Sequence, residues 1–427
     1  MKWNVSPSTL TGAIMVPPSK SHTIRALLAA TLAGGASRIV RPLTTGDGAS
    51  AIGAARTLGA HIEEQADVLV VRGIGGDFER GADMFDMGNS GTSTNLFTSA
   101  AALGSRPRRI DGDASLRQRP VRPLLEALGR LGATYSFENP DKDLPFTICG
   151  PLQGGQTAVN GISSQFVSSL LFSCPLALGD TDIAVTNLHE KPYIELTLWW
   201  LTAMGIRYET NDDFSHFHIY GGQSYRNFER IIPGDFSSAT FPAVAAAITG
   251  NGVAITGIDF SDPQGDKGIF DVLEAMGARV EKDRFSARIG PSPRLTGARI
   301  DLNTMPDALP AAAVLGCVAR GMTRIVNVGH ARIKETDRIS VMTAELAKMG
   351  ANITEESDGL TIHQSNLKGA VVNGRDDHRV VMALALAGMV AQGETIIETA
   401  QAAAVTYPSF VDDFTAIGAR ISVVEDT

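Results

Sequence analysis

The chain has 427 residues, enough for two or three domains. Apolar residues make up 44% and charged residues 19%, a globular composition that excludes a disordered or collagen-like chain. Its 37 Lys and Arg against 46 Asp and Glu leave a net charge of −9, which argues against a nonspecific nucleic-acid binder but permits an anionic small molecule in a locally positive cleft.

From the N-terminus, Met1, Lys2 and Trp3 lead into Ser and Thr without the apolar run of a signal peptide, so a cytoplasmic protein is expected. No apolar stretch is long enough to span a bilayer, Val380 to Ala391 being too short, so no membrane partner is expected. Cys149, Cys174 and Cys317 are scattered and odd in number, and give neither a disulfide framework nor a metal spacing.

One pattern then recurs along the chain. A helical apolar run ends in Leu, Met or Ile followed by Gly, and an alternating strand-like segment follows. The glycines are Gly59, Gly132, Gly205, Gly277, Gly350 and Gly418, and successive numbers differ by 73, 73, 72, 73 and 68. Glycine there supplies the left-handed residue that closes a helix. A second series of Ala- and Leu-rich helical runs ends at Gly34, Gly104, Gly179, Gly250, Gly321 and Gly393. Each unit therefore reads β-α-β-α-β-β, a small sheet with two helices. Six units should pack as two groups of three around buried helices, an α/β (α+β) architecture. Phe241–Ile248 and Ala308–Ala319 are apolar all round, as buried helices are.

The residues able to do chemistry precede the predicted helices. Before the first helix of each unit stand Ser19-Lys20-Ser21, Asn89-Ser90-Gly91-Thr92, Ser163-Ser164-Gln165, Asp235 with Ser237-Ser238, Pro306-Asp307 and Asp377-His378-Arg379. Before second helices stand Arg119-Pro120, Lys191-Pro192-Tyr193, Gln264-Gly265-Asp266 and Lys334-Glu335-Thr336-Asp337-Arg338. Capping alone explains Ser, Asp, Asn and Pro. It does not explain Lys20, Arg25, Arg119, Lys334, Arg338 and Arg379, because the helix dipole disfavours cations at an N-terminus unless an anion stands opposite. A ligand with several negative charges is therefore expected where N-termini of both halves converge. Asp307, Glu335 and His378 are the candidates for proton transfer. Glu335 adjoins Lys334, which favours its ionised form.

Other motifs are weaker. His216 and His218 share one face of a predicted strand, with no further ligand pattern near them. Gly46-Asp47-Gly48 reads as a turn with a helix start. Cys174, Cys317, Trp199 and Trp200 read as core.

These motifs, in this order, resemble the 5-enolpyruvylshikimate-3-phosphate synthase family over essentially the whole chain. The resemblance rests on Pro17-Pro18-Ser19-Lys20-Ser21-His22-Thr23-Ile24-Arg25, Gly88-Asn89-Ser90-Gly91-Thr92, Arg119-Pro120, Ser163-Ser164-Gln165-Phe166 and Lys191-Pro192-Tyr193-Ile194. It continues through Gly234-Asp235, Pro306-Asp307-Ala308, Lys334-Glu335-Thr336-Asp337-Arg338 and Asp377-His378-Arg379. It implies the enolpyruvyltransferase-like fold, an inside-out α/β barrel of two domains, each of three βαβαββ units. The domains implied are 16–233, mainly on the shikimate 3-phosphate side, and 1–15 with 234–427, mainly on the phosphoenolpyruvate and proton-transfer side.

The resemblance further implies that Ser21, Arg25, Ser163, Ser164, Tyr193, Asp307 and Lys334 hold shikimate 3-phosphate. Lys20, Gly91, Arg119, Gln165, Arg338 and Arg379 would hold phosphoenolpyruvate. Thr92 beside Gly91, and His330 where the family has Asn, are counted with the substrate-binding residues. Lys20, Asp307, Glu335 and His378 form the catalytic set. No metal, cofactor, nucleic acid or further partner is implied, and a monomer is expected. The inhibitor glyphosate would share the phosphoenolpyruvate site, with Gly91 leaving room for it.

The chain departs from the family pattern at Ile24, Asn95, Glu190 and His330. It also has Val405 where the family carries a lysine near the C-terminus. Loss of that charge-assisted contact is worth about 1.5–3 kcal/mol unless another cation substitutes. Two other readings stand beside the first: an enolpyruvyltransferase with another hydroxyl acceptor, and a noncatalytic relative with the same fold. A sugar-nucleotide enzyme of this kind carries a reactive Cys in the loop comparable to Asp111–Pro120, which has none.

Overall fold

The computed structural model describes residues 1–292 and 294–425; Pro293 and the last two residues of the expected second domain lie outside the described residues. The chain folds into two compact units, one spanning Pro18–Ile232 and one joining Met1–Pro17 to the chain from Pro233 onward.

The Pro18–Ile232 unit contains the helices α1 (Lys20–Leu32), α2 (Asp47–Leu58), α3 (Gly91–Ala101), α4 (Arg122–Arg130), α5 (Ser164–Ser173) and α6 (Lys191–Ala203). The other contains α7 (Phe236–Thr249), α8 (Ile269–Ala275), α9 (Leu309–Val318), α10 (Arg338–Lys348), α11 (His378–Val390) and α12 (Phe410–Ala416). Among the described residues each unit holds three four-stranded sheets with one shared pattern. In the second repeat, Met84–Asp86 runs parallel to Arg108–Asp111 across α3, with Phe85 opposite Ile110. Arg108–Asp111 then pairs antiparallel with Phe146–Cys149, which pairs with Thr134–Phe137.

Three repeats are contiguous βαβαββ units, and three are completed from elsewhere in the chain. The sheet of Ala36–Val40 takes Glu229–Ile231 as its parallel edge strand. Val253–Thr256 takes Gly12–Met15. Lys2–Ser6 lies antiparallel between Thr395–Glu398 and Arg420–Val424. A sheet edge presents unpaired backbone groups, and these distant strands satisfy it where the local segment supplies none.

The first helix of each repeat is buried on nearly all sides, as Leu27, Phe97, Leu170, Val244, Val314 and Leu384 show with 0% exposure. Polar residues within these helices turn back on their own backbone: Thr31 Oγ1 donates to Leu27 O at 2.7 Å and Thr94 Oγ1 to Ser90 O at 2.8 Å. The apolar helix read as Ala308–Ala319 is a 3₁₀ turn, Pro306–Ala308, followed by α9. The repeat glycines close their helices as expected: Gly59 sits at φ 112° after α2 and Gly350 at φ 85° after α10.

Several second helices begin later than their motifs. Arg119 ends a 3₁₀ turn before α4, and Lys334 ends the turn Gly329–Ile333 before α10. Arg25 lies in the second turn of α1. Of the six cations expected in or near first turns, Lys20, Arg338 and Arg379 occupy first turns, Arg25 lies one turn further into α1, and 3₁₀ turns separate Arg119 and Lys334 from α4 and α10.

Candidate active site

In the Pro18–Ile232 unit, capping sets the backbone from which the site residues project. Ser19 accepts from His22 N, Ser90 from Ser93 N and Ser163 from Gln165 N, fixing the starts of α1, α3 and α5. Lys20, Ser21, Gly91, Thr92, Ser164 and Gln165 follow these caps directly.

Gly91, Thr92, Arg119 and Gln165 form one group. Gln165 Nε2 donates to Thr92 Oγ1 at 3.2 Å, and Asn95 Nδ2 donates both to Gln165 Oε1 at 2.7 Å and to Gly91 O at 2.9 Å. Arg119 NH1 donates to Asn89 O at 3.0 Å, and NH2 donates to Asn89 Oδ1 and to Ser115 Oγ. A Cβ added at Gly91 would stand 3.0 Å from Arg119 NH1, so a side chain there crowds the guanidinium.

Lys20 Nζ lies 3.1 Å from Asp47 Oδ2, the first residue of α2. Asp47 O in turn accepts from Ser93 Oγ, linking this pair to α3. The Gly46-Asp47-Gly48 turn therefore places a carboxylate in the site, which sequence reading missed. The available signal was an acid in the first turn of a helix.

Arg25 is 2% exposed. Its guanidinium donates to Thr197 Oγ1, Ser21 O, Ser168 Oγ and Tyr193 O at 2.9–3.3 Å. Burial lowers its pKa to about 10, with the charge of Tyr193 acting in the opposite direction. Arg25 thus binds α1, α5 and α6 together beside Ser21 and Tyr193. Ser164 Oγ donates to Glu190 Oε2 at 2.8 Å. Glu190 is 1% exposed and left-handed at φ 56°, at the N-cap of α6. Its carboxylate points at Ser164, not away from it.

In the second unit the expected site residues gather around Arg338. Its Nε donates to Asp377 Oδ2 at 2.8 Å, NH1 to Asp307 Oδ1 at 2.7 Å and NH2 to Glu335 Oε2 at 2.6 Å. Burial opposes its charge, but these three carboxylates outweigh that and hold its pKa well above the ordinary arginine range. The other oxygen of Asp307 meets Arg379 NH2 at 2.8 Å. Arg379 is 1% exposed, and its Nε and NH1 have no hydrogen-bond partner among the described residues. Asp377 also accepts from Arg379 N and Val380 N, capping α11.

Glu335 meets Arg338, three residues on and one helical turn away. The cations at helix starts are also balanced by the protein's own carboxylates, Asp47, Asp307, Glu335 and Asp377, which capping and turn positions bring opposite them. His330 and His378 are buried, in the turn before Lys334 and at the start of α11. Val405 ends a 3₁₀ turn, Ala400–Val405, and is half-buried.

The remaining motifs fall outside these groups. His218 Nδ1 meets Asp182 Oδ1 at 3.0 Å, and that hydrogen bond raises its pKa. His216 pairs with the same carboxylate. Cys174 and Cys317 are buried, which pushes both thiols up to about 12. Trp200 is core and donates to His22, whereas Trp199 is 37% exposed with Arg230 stacked 4.5 Å from its ring centroid, so only one of the pair is core.

Comparison with known proteins gives one result throughout. The sequence model described as EPSP synthase (3-phosphoshikimate 1-carboxyvinyltransferase) matches residues 5–414. A 3-phosphoshikimate 1-carboxyvinyltransferase of Acetivibrio thermocellus is 49% identical over 425 residues, covering 100% of both chains. That of Ruminiclostridium cellulolyticum is 47% identical over 98% of this chain and 99% of its own. A solved EPSP synthase structure from Acinetobacter baumannii superposes with a TM-score of 0.84 at 26% identity, covering 100% of both chains.

Proposed function

The chain belongs to the EPSP synthase family, the 3-phosphoshikimate 1-carboxyvinyltransferases, and we propose that the residues gathered in its two units carry out that family's reaction. The enzyme is a transferase. It moves the enolpyruvyl group of phosphoenolpyruvate to the 5-hydroxyl of shikimate 3-phosphate, a step of the shikimate pathway.

The acceptor oxygen attacks C2 while a proton is added to C3, giving a tetrahedral intermediate. Loss of a proton from C3 and cleavage of the C–O bond to phosphate then regenerate the enol ether and release inorganic phosphate. We assign proton transfer to Lys20, Asp307 and Glu335, with His378 at the same helix start as Arg379. Lys20, Gly91, Arg119, Gln165, Arg338 and Arg379 are assigned to phosphoenolpyruvate. Ser21, Arg25, Ser163, Ser164, Tyr193, Asp307 and Lys334 are assigned to shikimate 3-phosphate, with Thr92 and His330 supporting the two substrates. Fixed cations and capped helix starts lower the barrier by being in place before charge develops.

The observation that carries this assignment is the meeting of Gly91, Thr92 and Gln165, joined by hydrogen bonds through Asn95, with Arg119, which is held on Asn89 beside Gly91. Four residues from three separated motifs meet at the starts of α3 and α5. Among the residues assigned to shikimate 3-phosphate, Arg25 donates to four protein acceptors and so also holds Ser21 and Tyr193 in place. We also propose a cytoplasmic monomer; size-exclusion chromatography with light scattering tests the oligomeric part. Phosphate release from phosphoenolpyruvate that depends on shikimate 3-phosphate supports the function. Release only with another alcohol, or binding without turnover, contradicts it.

A further inference from the structure

Asn95 has no part in the reaction as assigned, yet it stands at the centre of the group around Gly91. It lies in the second turn of α3 and is buried. Its side-chain amide meets two atoms, Gly91 O at 2.9 Å and Gln165 Oε1 at 2.7 Å. Thr31, Thr94 and Thr98 also turn their side chains back on their own helices, each to the carbonyl four residues before it. Asn95 differs from them in crossing from α3 to α5. The two helices are pinned there without its side chain, since Ser169 Oγ donates to the Asn95 backbone carbonyl and lies 2.5 Å from Ser99 Oγ.

These contacts fix the direction of a hydrogen-bond chain. Gly91 O is a backbone carbonyl and can only accept, so the Asn95 atom against it is Nδ2, which carries two hydrogens. The second hydrogen points at Gln165, whose facing atom must accept and is therefore Oε1. That leaves Gln165 Nε2 on the other side of its amide, where one hydrogen goes to Thr92 Oγ1 at 3.2 Å. With its oxygen accepting, Thr92 keeps its hydroxyl hydrogen to donate, and Gln165 Nε2 keeps its second hydrogen. The arrangement is held at a cost. Asn95 Oδ1 is buried with no hydrogen-bond partner among the described residues, and an unpaired buried acceptor is unfavourable. Turning the Asn95 amide over would be worse, because it would set Oδ1 against two carbonyl oxygens.

Resting on the reading that Gln165 holds phosphoenolpyruvate, we propose that Asn95 is a positioning residue for that substrate: it locks the Gln165 amide so that an N–H, and not a carbonyl oxygen, is presented to the anion. The two orientations of a glutamine amide have nearly the same shape and opposite polarity, and an untethered side chain samples both. The one that aims Oε1 at a phosphate or carboxylate repels it. Holding Oε1 within the protein removes that orientation before the ligand arrives, so nothing has to reorganise when it does. Asn95 acts through Gln165 and not on the reacting atoms. Its own direction is set by the Gly91 carbonyl, which belongs to the helix backbone and cannot turn over.

The test is a double-mutant cycle on the KM for phosphoenolpyruvate at saturating shikimate 3-phosphate, using Asn95→Leu, Gln165→Met and the two together. Asn95→Leu keeps a branched side chain of similar shape without the amide. It should raise that KM by about three- to tenfold, the worth of one hydrogen bond, and leave the KM for shikimate 3-phosphate nearly unchanged. In the Gln165→Met background no amide remains to orient, so adding Asn95→Leu should change the KM for phosphoenolpyruvate by less than about twofold. An unchanged KM in Asn95→Leu, an equal rise in both backgrounds, or a rise for both substrates alike overturns the proposal. Wild type gives a reading that needs no Asn95 variant. With isotope-labelled glutamine, the Gln165 side-chain amide is identified by its loss in Gln165→Met and followed by NMR as phosphoenolpyruvate is added. A downfield shift of one Gln165 N–H supports the proposal, and an amide that does not move overturns it. Absence of turnover in wild type would overturn the functional reading instead, and the NMR titration would still report on Gln165.

Discussion

Lys20 and Asp47 form an ion pair at 3.1 Å, with side chains 11% and 7% exposed, joining the first turns of α1 and α2. The pair holds the one lysine among the site residues at the α1 and α3 starts. Lys20→Ala should lower kcat by about 100-fold or more, as loss of a proton-transfer group does. Asp47→Ala should cost about 1.5–3 kcal/mol of stability, because it removes one charge-assisted contact from a largely buried cation. Steady-state kinetics and denaturant unfolding read the two effects separately.

Gly91 lies where a Cβ would come within 3.0 Å of Arg119 NH1. Gly91→Ala should displace Arg119 and raise the KM for phosphoenolpyruvate, while the KM for shikimate 3-phosphate changes little. Arg119→Ala removes the charge itself and should cost about 1.5–3 kcal/mol in kcat/KM for phosphoenolpyruvate. Circular dichroism should show both variants folded.

Glu190 accepts the hydroxyl hydrogen of Ser164, one of the residues assigned to shikimate 3-phosphate. Its carboxylate opposes a phosphate at Ser164 and occupies the serine's donor. Glu190→Ser removes the charge and frees the hydroxyl. The KM for shikimate 3-phosphate should fall by about three- to tenfold. An unchanged KM would place the phosphate away from Ser164.

Asp266 makes stability depend on pH with a definite sign. Its carboxyl is raised from 3.8 to about 7 in the folded protein. Between those values the folded state binds more protons than the unfolded, so this residue's contribution falls as pH rises and is fully unfavourable above about 7. Asp266→Asn should therefore be more stable than wild type by about 2–4 kcal/mol at pH 8, and by little near pH 4. Urea unfolding at the two pH values measures the difference.

Much of the fold is written in local signals. Glycines such as Gly59 and Gly350 close helices at a regular spacing, and Ser90 and Asp377 cap helices from beside the residues they present. Such features depend on neighbours within a turn, so they can be read along the chain. The partners of those residues depend on distant segments. Glu229–Ile231 and Gly12–Met15 complete sheets far from them in sequence, and no periodicity announces it. The pairing of Lys20 with Asp47, the enclosure of Arg25 by α5 and α6, and the bond from Ser164 to Glu190 likewise arise only once helices pack. The cations near the helix starts could be read along the chain. Their neutralisation by the protein's own acids became visible only in three dimensions.

The most direct test of the assigned reaction is phosphate release by the wild-type protein with phosphoenolpyruvate, alone and with shikimate 3-phosphate. The expected result is release that requires both, together with one 5-enolpyruvylshikimate 3-phosphate for each phosphate. Release without the acceptor, or none with it, would contradict the assignment.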